Sequence, residues 1–391
     1  MVAPHSQNWR ARKEKALILG EKIPLIEITG DERTRGQQYG EAAREQIGKS
    51  IAFYREVAAH TTKLSWDEIQ TRARLWMPVI DEYFPGILDE VRGIAEGSGR
   101  AFEEILALNG RTELTYGGSI ADEGNDSCSS FAITSEASGD GHVYCGQNWD
   151  WLSGIKETIV ILRVHQPPKP TIIMQVEAGQ VGRHGANSAG LALCANGLGR
   201  QFGKSNGVPS PYIRRRVLDS ANMNDALEEI FKAKQNGCTN LLLAHKDGVV
   251  ISVETTPGRH GWMYPTDGIL VHTNHFIAFV PPQIAETYRP TYSVDSLYRL
   301  TQIQRVLKRS KAQKRSKQMR HLIATALSDH FGVPDSVCAH PKENVPLHSR
   351  YQTVASCIMD LTNGDYYLAP GLPCESEYVK LPRNIYDSAS A

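Results

Sequence analysis

The run GNDSCSSFAITSEASGDGHVYCGQNWDW, residues 124–151, decides how the rest of the chain is read. Cys128 stands at the head of a strand-forming segment, directly after a polar, glycine-bearing loop, and Asn148-Trp149-Asp150 closes the next such segment. SSFAIT (129–134) and HVYCGQN (142–148) are β-type runs separated by turn residues. They predict an antiparallel hairpin that sets Asp150 beside Cys128. A thiol at a strand end among polar groups is placed for nucleophilic work, whereas a packing cysteine sits mid-strand among apolar neighbours, as Cys194 does in LALCAN.

Outward from this hairpin, the N-terminal third reads as helical. Gly36 to Ala59 carries Ala42, Ile47, Ile51, Phe53 and Tyr54 on one stripe at helical spacing. Ser65-Trp66-Asp67-Glu68 offers a capping box before IQTRARLWMPVI, Pro85 opens ILDEVRGIAEGSG, and Ala101 to Leu108 supplies a fourth helix. Beyond the hairpin, TIVILRV (158–164), TIIMQV (171–176) and GLALCAN (190–196) continue as strands too closely spaced for intervening helices, which predicts antiparallel pairing. Further hairpins turn at Asp247-Gly248 and Asn363-Gly364, and helices are expected at about 212–235 and 292–328. The order helices, sheet, helices, sheet, without repeat or linker, implies one α+β domain over residues 1–391 with layered sheets covered by helices.

Composition narrows the function classes. The 391 residues carry 43 basic and 43 acidic side chains and are 41% hydrophobic, so net charge gives no pull towards nucleic acid or an anionic membrane. Eight Lys/Arg between Arg305 and Arg320 lack interleaved aromatics and read as a solvated helix face. There is no run of eighteen apolar residues, no secretory-type start and no nucleotide-binding glycine motif, so a cytoplasmic location without membrane or nucleic-acid partners is expected. The seven cysteines are scattered, without the close pairing of a zinc site or the density of a disulfide framework, and no metal or cofactor is expected. His272 and His275, three apart on a strand, point to opposite faces and do not share an ion. Asp122, Glu123 and Asp126 read as loop charges, and Trp149 and Trp151 as core or pocket-wall aromatics.

Cys128 lacks an adjacent base in the sequence. A cut between Ser127 and Cys128 supplies one. The freed α-amino group, with a reference pKa of about 7.7–8.0, is a proton acceptor near neutrality. The thiol itself can drive the cut by attacking the Ser127 carbonyl to give a thioester that water resolves. Two other readings stand beside this one: a conventional uncleaved cysteine hydrolase that borrows a base such as His275, and a non-catalytic ligand-binding relative.

Cys128-Ser-Ser-Phe through Gly146-Gln147-Asn148-Trp149-Asp150-Trp151, followed by KETIVILRV, resembles the acyl-coenzyme A:6-aminopenicillanic acid acyltransferase family. These are N-terminal-nucleophile hydrolases grouped with the C45 cysteine peptidases. Thr273-Asn274-His275-Phe276 resembles the family's Asn-His-Phe block, with weaker echoes in RTRGQQYGEA and in SVDSLYRL (293–300). The resemblance implies a four-layer αββα fold with antiparallel sheets. It also implies Cys128 as nucleophile and first residue after the cut, Asn274 as oxyanion donor, and Asp150 as the acid that holds the cysteine's amino group. Arg299 is a further candidate for supporting the nucleophile or a substrate carboxylate. The family's fungal acyltransferases have glycine before the nucleophile, where this chain has Ser127. The implied enzyme splits itself into a largely helical fragment 1–127 and a fragment 128–391 that stay together as a heterodimer. It cleaves a small-molecule N-acyl substrate through an acyl-Cys128 thioester and passes the acyl group to water or an amine. Acyl-coenzyme A stays open as a substrate, and the acyl group and amine are left unspecified.

Overall fold

The computed structural model describes residues 17–19, 23–116, 127–199, 207–282 and 293–387. The chain enters through β1 (Leu17–Leu19) and β2 (Ile23–Thr29). Seven helices follow: α1 (Glu32–Ala42), α2 (Arg44–Thr61), α3 (Trp66–Arg74), α4 (Met77–Tyr83), α5 (Ile87–Ser98), α6 (Phe102–Leu108) and α7 (Arg111–Tyr116). The strands that come next are β3 (Cys128–Ile133), β4 (Tyr144–Leu152), β5 (Ile159–His165), β6 (Ile172–Glu177), β7 (His184–Asn187) and β8 (Leu191–Gly199). Helices α8 (Ser210–Leu218) and α9 (Met223–Lys232) lead to β9 (Cys238–His245), β10 (Val250–Thr255), β11 (His260–Met263) and β12 (Ile269–His272). Last come α10 (Asp295–Leu307), α11 (Ser316–Leu327), β13 (Tyr351–Asp360), β14 (Asp365–Pro370) and β15 (Val379–Lys380).

The strands form two sheets, ordered β1-β2-β5-β6-β7-β8-β9-β10-β11 and β12-β3-β4-β13-β14-β15. Strand alternation shows how they stack. Cys145 on β4 and Cys194 on β8 bring their sulfurs to 3.4 Å, and Ser130 on β3 donates to Asn196 on β8 at 2.7 Å, so these faces meet between the sheets. The opposite face of β3 carries Phe131 and Ile133, which pack with Ile303 and Leu307 of α10 and Met319 and Ile323 of α11. On the outer face of the larger sheet, Asn187 donates to the carbonyl of Leu218 at the end of α8. Helix, sheet, sheet and helix are therefore stacked in that order, the α+β arrangement expected. Both hairpins turn where read, with Gly248 and Gly364 at positive φ.

Several boundaries differ from the sequence reading. The N-terminal β1 and β2 were read as part of a helical region. Strand β2 pairs with β5 in parallel, because seven helices intervene and allow a crossover, so the larger sheet is mixed rather than wholly antiparallel. The stretch 36–59 is two helices, divided at Ala43. Helix α1 docks on α5 through glycines: a Cβ on Gly36 would lie 2.1 Å from the Glu90 carbonyl oxygen, and one on Gly93 would lie 2.2 Å from that of Arg33. Only bare backbone permits this crossing. The break frees α2 to turn its own stripe, Ile47, Ile51 and Tyr54, into the core. The helices read at 66–80, 212–235 and 292–328 are likewise each two. The first capping box is present, with Ser65 and Glu68 exchanging bonds.

Beneath the α1–α5 crossing lies a buried charge network. Arg215 of α8 donates from Nη1 and Nη2 to the two carboxylate oxygens of Glu90 at 2.7 and 3.2 Å, and from Nε to Asp219 at 3.0 Å. Arg35 adds a bond to Glu90 at 3.0 Å. Removing one partner of a buried pair leaves an uncompensated charge, at a cost of about 3–5 kcal/mol. Glu90→Ala is expected to destabilise the fold by that amount in chemical denaturation; a change under about 1 kcal/mol would show the network to be as weak as a surface pair. Among the described residues no helix is long and apolar enough to cross a membrane.

Candidate active site

Cys128 begins β3 and is buried, 2% exposed. Its neighbours in the sheet are β4 on one side and β12 on the other. The register places Cys128 opposite Trp149, and the Asp150 amide donates to the Ser127 carbonyl at 3.0 Å. The hairpin read from the sequence is therefore present, one residue displaced. Cys128 and Trp149 share the inter-sheet face, while alternation turns the Asp150 side chain to the other face. There Thr353 of β13 donates to Asp150 Oδ1 at 2.6 Å. The sequence-read pair is thus adjacent through main chain, with Asp150 gripping the peptide group that precedes the cysteine.

From the other side, the residues after β12 reach Cys128. Asn274 Oδ1 accepts the Cys128 amide at 2.8 Å, and Asn274 Nδ2 donates to the Gly197 carbonyl at 3.0 Å. This segment is pinned by Glu254 of β10, whose carboxylate accepts the Ile277 amide at 2.7 Å and the Ala278 amide at 3.0 Å, and contacts His272 Nε2 at 2.8 Å. His272 and His275 take different partners, and His275 Nδ1 lies 2.8 Å from Ser296 Oγ.

Arg299, on α10 and fully buried, joins the parts. Its Nη1 donates to the Cys128 carbonyl at 3.0 Å and Ser129 Oγ at 2.9 Å; its Nη2 donates to Asn274 Oδ1 at 2.9 Å and Ser127 Oγ at 3.2 Å. Asp295, one turn earlier, accepts from Arg299 Nε at 2.6 Å. One guanidinium thus contacts three consecutive residues around the Ser127–Cys128 bond as well as Asn274. Ser127, the departure from glycine, uses its hydroxyl in this grip.

Electrostatics separates the bases. Burial first, then the nearby His272 and Arg299, push the His275 ring down to about 4, against a cationic form. His275 is neutral at pH 7 and engaged with Ser296. Because its folded pKa lies below the unfolded value, folding disfavours the proton, and this contribution to stability is lost as pH falls from about 6.5 towards the folded value. His275→Gln is expected to flatten that acid limb in a thermal-melt pH series while turnover keeps its neutral-pH profile. Loss of a neutral-pH inflection in the variant would instead make His275 the base.

Sequence reasoning missed Thr353, Glu254 and Arg183. Thr353 is far from Asp150 in sequence and is delivered by β13 pairing with β4. Arg183 lies with its guanidinium carbon 3.5 Å from the centroid of the Trp149 ring, beneath the cross-strand partner of Cys128. No local motif marks these residues. Asp122, Glu123 and Asp126 lie outside the described residues.

The stacked sheets between helix layers, with a cysteine heading an inner strand, define the N-terminal-nucleophile hydrolase fold. Within it, the family model described as acyl-coenzyme A:6-aminopenicillanic acid acyl-transferase matches residues 137–372, and this chain belongs to that family. The matched span begins just after Cys128. The chain is 31% identical over 260 residues to the 40 kDa form of acyl-coenzyme A:6-aminopenicillanic-acid-acyltransferase from Emericella nidulans, covering 64% of this chain and 69% of that protein. A variant of conjugated bile acid hydrolase from Clostridium perfringens aligns with a TM-score of 0.44 at 12% identity, over 67% of this chain and 99% of the other. Penicillin V acylase from Agrobacterium tumefaciens gives 0.41 at 13% identity, over 62% and 82%. Likenesses this distant leave the assignment on the family match, which makes the chain a member of an acyltransferase family.

Proposed function

We propose that this chain is a precursor that cuts its own Ser127–Cys128 bond and then works as a cysteine amidohydrolase or acyltransferase on a small-molecule N-acyl substrate. The observation that carries the reading is the grip on that one peptide bond. The Ser127 carbonyl already accepts the Asp150 amide, the Cys128 amide already donates to Asn274, and Arg299 holds the residues on both sides. In the processing step Cys128 Sγ gives up its proton and attacks the Ser127 carbonyl carbon. The oxyanion builds up on the oxygen bonded to the Asp150 amide, a neutral preorganised donor. The Cys128 nitrogen takes a proton and leaves as an amine, and water splits the resulting thioester to a Ser127 carboxylate and a free thiol.

After the cut, nucleophile and base belong to one residue. The amine of Cys128 accepts the thiol proton, Sγ attacks the substrate amide, and the protonated amine delivers the proton to the leaving amine. Asn274 Nδ2 serves as oxyanion donor at this stage. Asp150 and Arg299 act as positioning groups for the new chain terminus. Water or an amine acceptor resolves the acyl-Cys128 thioester; hydrolysis is favoured, because transfer needs a second pocket that excludes water. Acyl-coenzyme A enters only as a donor substrate, and the chemistry at Cys128 needs no cofactor. The fragments 1–127 and 128–391 stay associated as a heterodimer because α2 and α7 contribute to one core with β4 and β6: Trp151 donates to Tyr54 at 2.7 Å and Arg111 donates to Glu177 at 2.9 Å. Intact mass of the purified protein tests the proposal. Two fragments divided at Cys128 support it, and a single active species near 43.3 kDa sinks self-processing.

A further inference from the structure

A second cluster of reactive side chains lies beyond Thr353, outside the machinery at Cys128. His330, Cys338 and His340 sit in the segment after α11, and Cys374 sits in the turn after β14. Their ligand atoms all lie within 4.8 Å of one another. Cys338 Sγ is 3.5 Å from Cys374 Sγ and 3.8 Å from His340 Nε2; Cys374 Sγ is 3.5 Å from His340 Nε2; and His340 Nε2 is 3.1 Å from His330 Nε2. A regular tetrahedron around zinc, with Zn–S about 2.3 Å and Zn–N about 2.0–2.1 Å, has edges of about 3.8 Å between sulfurs, about 3.5 Å between sulfur and nitrogen and about 3.3 Å between nitrogens. Each of the four measured edges lies within about 0.3 Å of its ideal value. Sulfurs at 3.5 Å are too far apart for a disulfide.

We propose that His330, Cys338, His340 and Cys374 bind one zinc ion as a closed structural site that ties the segment after α11 to the turn after β14. Two thiolates and two imidazoles form a soft donor set that suits zinc and not magnesium or calcium. Both thiols lose their protons to solvent as the metal enters. Four protein ligands leave no open position, so the ion acts on shape and not on substrate. The shape it holds matters to the site. The Ala339 amide donates to Thr353 Oγ1 at 2.9 Å, the Thr353 amide donates to the Ala339 carbonyl at 2.9 Å, and Thr353 Oγ1 donates to Asp150. Asn148 Nδ2, from the same face of β4, bonds the Val337 carbonyl at 2.8 Å. The clamp thus braces the loop that holds Thr353, the partner of the Asp150 side chain. Spacing concealed it: Cys374 reaches the cluster only through the β13–β14 hairpin, so the scattered thiols read as unpaired.

The test is the zinc content of the full chain, purified without chelators, by elemental analysis and native mass spectrometry. One zinc per chain is expected, with most of it lost in Cys374→Ser and in His330→Ala, both at exposed positions where the fold tolerates change. Reloading with cobalt should give visible ligand-field bands and a near-ultraviolet thiolate charge-transfer band, the latter absent from Cys338→Ser/Cys374→Ser. Removing the zinc by chelation should lower the melting temperature of the wild type and leave that of Cys374→Ser unmoved. The proposal is overturned by a wild-type chain that takes up no zinc from a buffered zinc solution, by full occupancy in both exposed-ligand variants, or by peptide mapping that finds Cys338 and Cys374 joined in a disulfide. None of these readouts depends on turnover at Cys128, so this inference and the proposed function fail separately.

Discussion

Cys128→Ala is expected to leave a single uncut chain and to lower turnover by about 10⁶-fold, the scale on which a covalent nucleophile is lost. The fold should persist. Two bonds that anchor Cys128 run through its main chain, from its amide to Asn274 and to its carbonyl from Arg299, and alanine keeps both. Circular dichroism and melting temperature close to those of the wild type, together with an uncut mass, would place the defect in chemistry and not in assembly. Retained turnover in this variant would remove Cys128 from the mechanism. A cut but inactive Cys128→Ala would show that another group, or a contaminating protease, severs the bond.

Asn274 gives the second large effect, and two substitutions separate its duties. Its Oδ1 accepts from both the Cys128 amide and the Arg299 guanidinium, and its Nδ2 is a donor. Asn274→Ala leaves two buried donors unmet, which costs about 1–3 kcal/mol for each unsatisfied group, and removes the oxyanion donor. Asn274→Asp keeps an acceptor facing Arg299 and so keeps the fold, yet a carboxylate cannot donate to a developing oxyanion. Turnover is expected to fall by about 10²–10³-fold in Asn274→Asp, as when one oxyanion donor is lost. Near-native kcat in Asn274→Asp would confine the residue to accepting from Cys128 and Arg299.

The legible part of the fold was whatever local pattern dictates. The hairpin at 128–152, the capping box at Ser65 and the tight turns at Asp247-Gly248 and Asn363-Gly364 follow from two short strand-type runs separated by turn residues, a side chain reaching the third amide ahead, and residues that accept positive φ. The helix break at Ala43 was illegible, because helical periodicity continues across it and the break answers to a partner elsewhere, whereas the break after α8 carries a local signal that the reading passed over, the Asn222 side chain that caps α9. The α1–α5 glycine crossing sets the first of these. The parallel pairing of β2 with β5 was equally hidden, since a strand of seven residues carries no record of which neighbour it meets.

The candidate site divides along the same line. Cys128 and Asp150 could be singled out from their places at the ends of two adjacent strand segments, and Asn274 from the resemblance of Thr273-Asn274-His275-Phe276 to the family's Asn-His-Phe block. Their arrangement could not: strand register puts Trp149 and not Asp150 across from Cys128, and places Asp150 on the Ser127 carbonyl through its amide. Arg299 looked minor in sequence and proves to hold residues 127, 128, 129 and 274 at once, because α10 lies across the end of β3. Thr353 has no sequence signature, and the His330–Cys338–His340 segment meets its fourth member, Cys374, only when the β13–β14 hairpin packs against it. By itself the sequence singled out Cys128 as the candidate nucleophile and yielded the layered α+β class and the family resemblance, all of which rest on local residue order. Only tertiary structure decided which groups face the Ser127–Cys128 bond and which thiols come together. Side-chain direction and long-range contact are settled by sheet register and helix packing, and these depend on the whole chain.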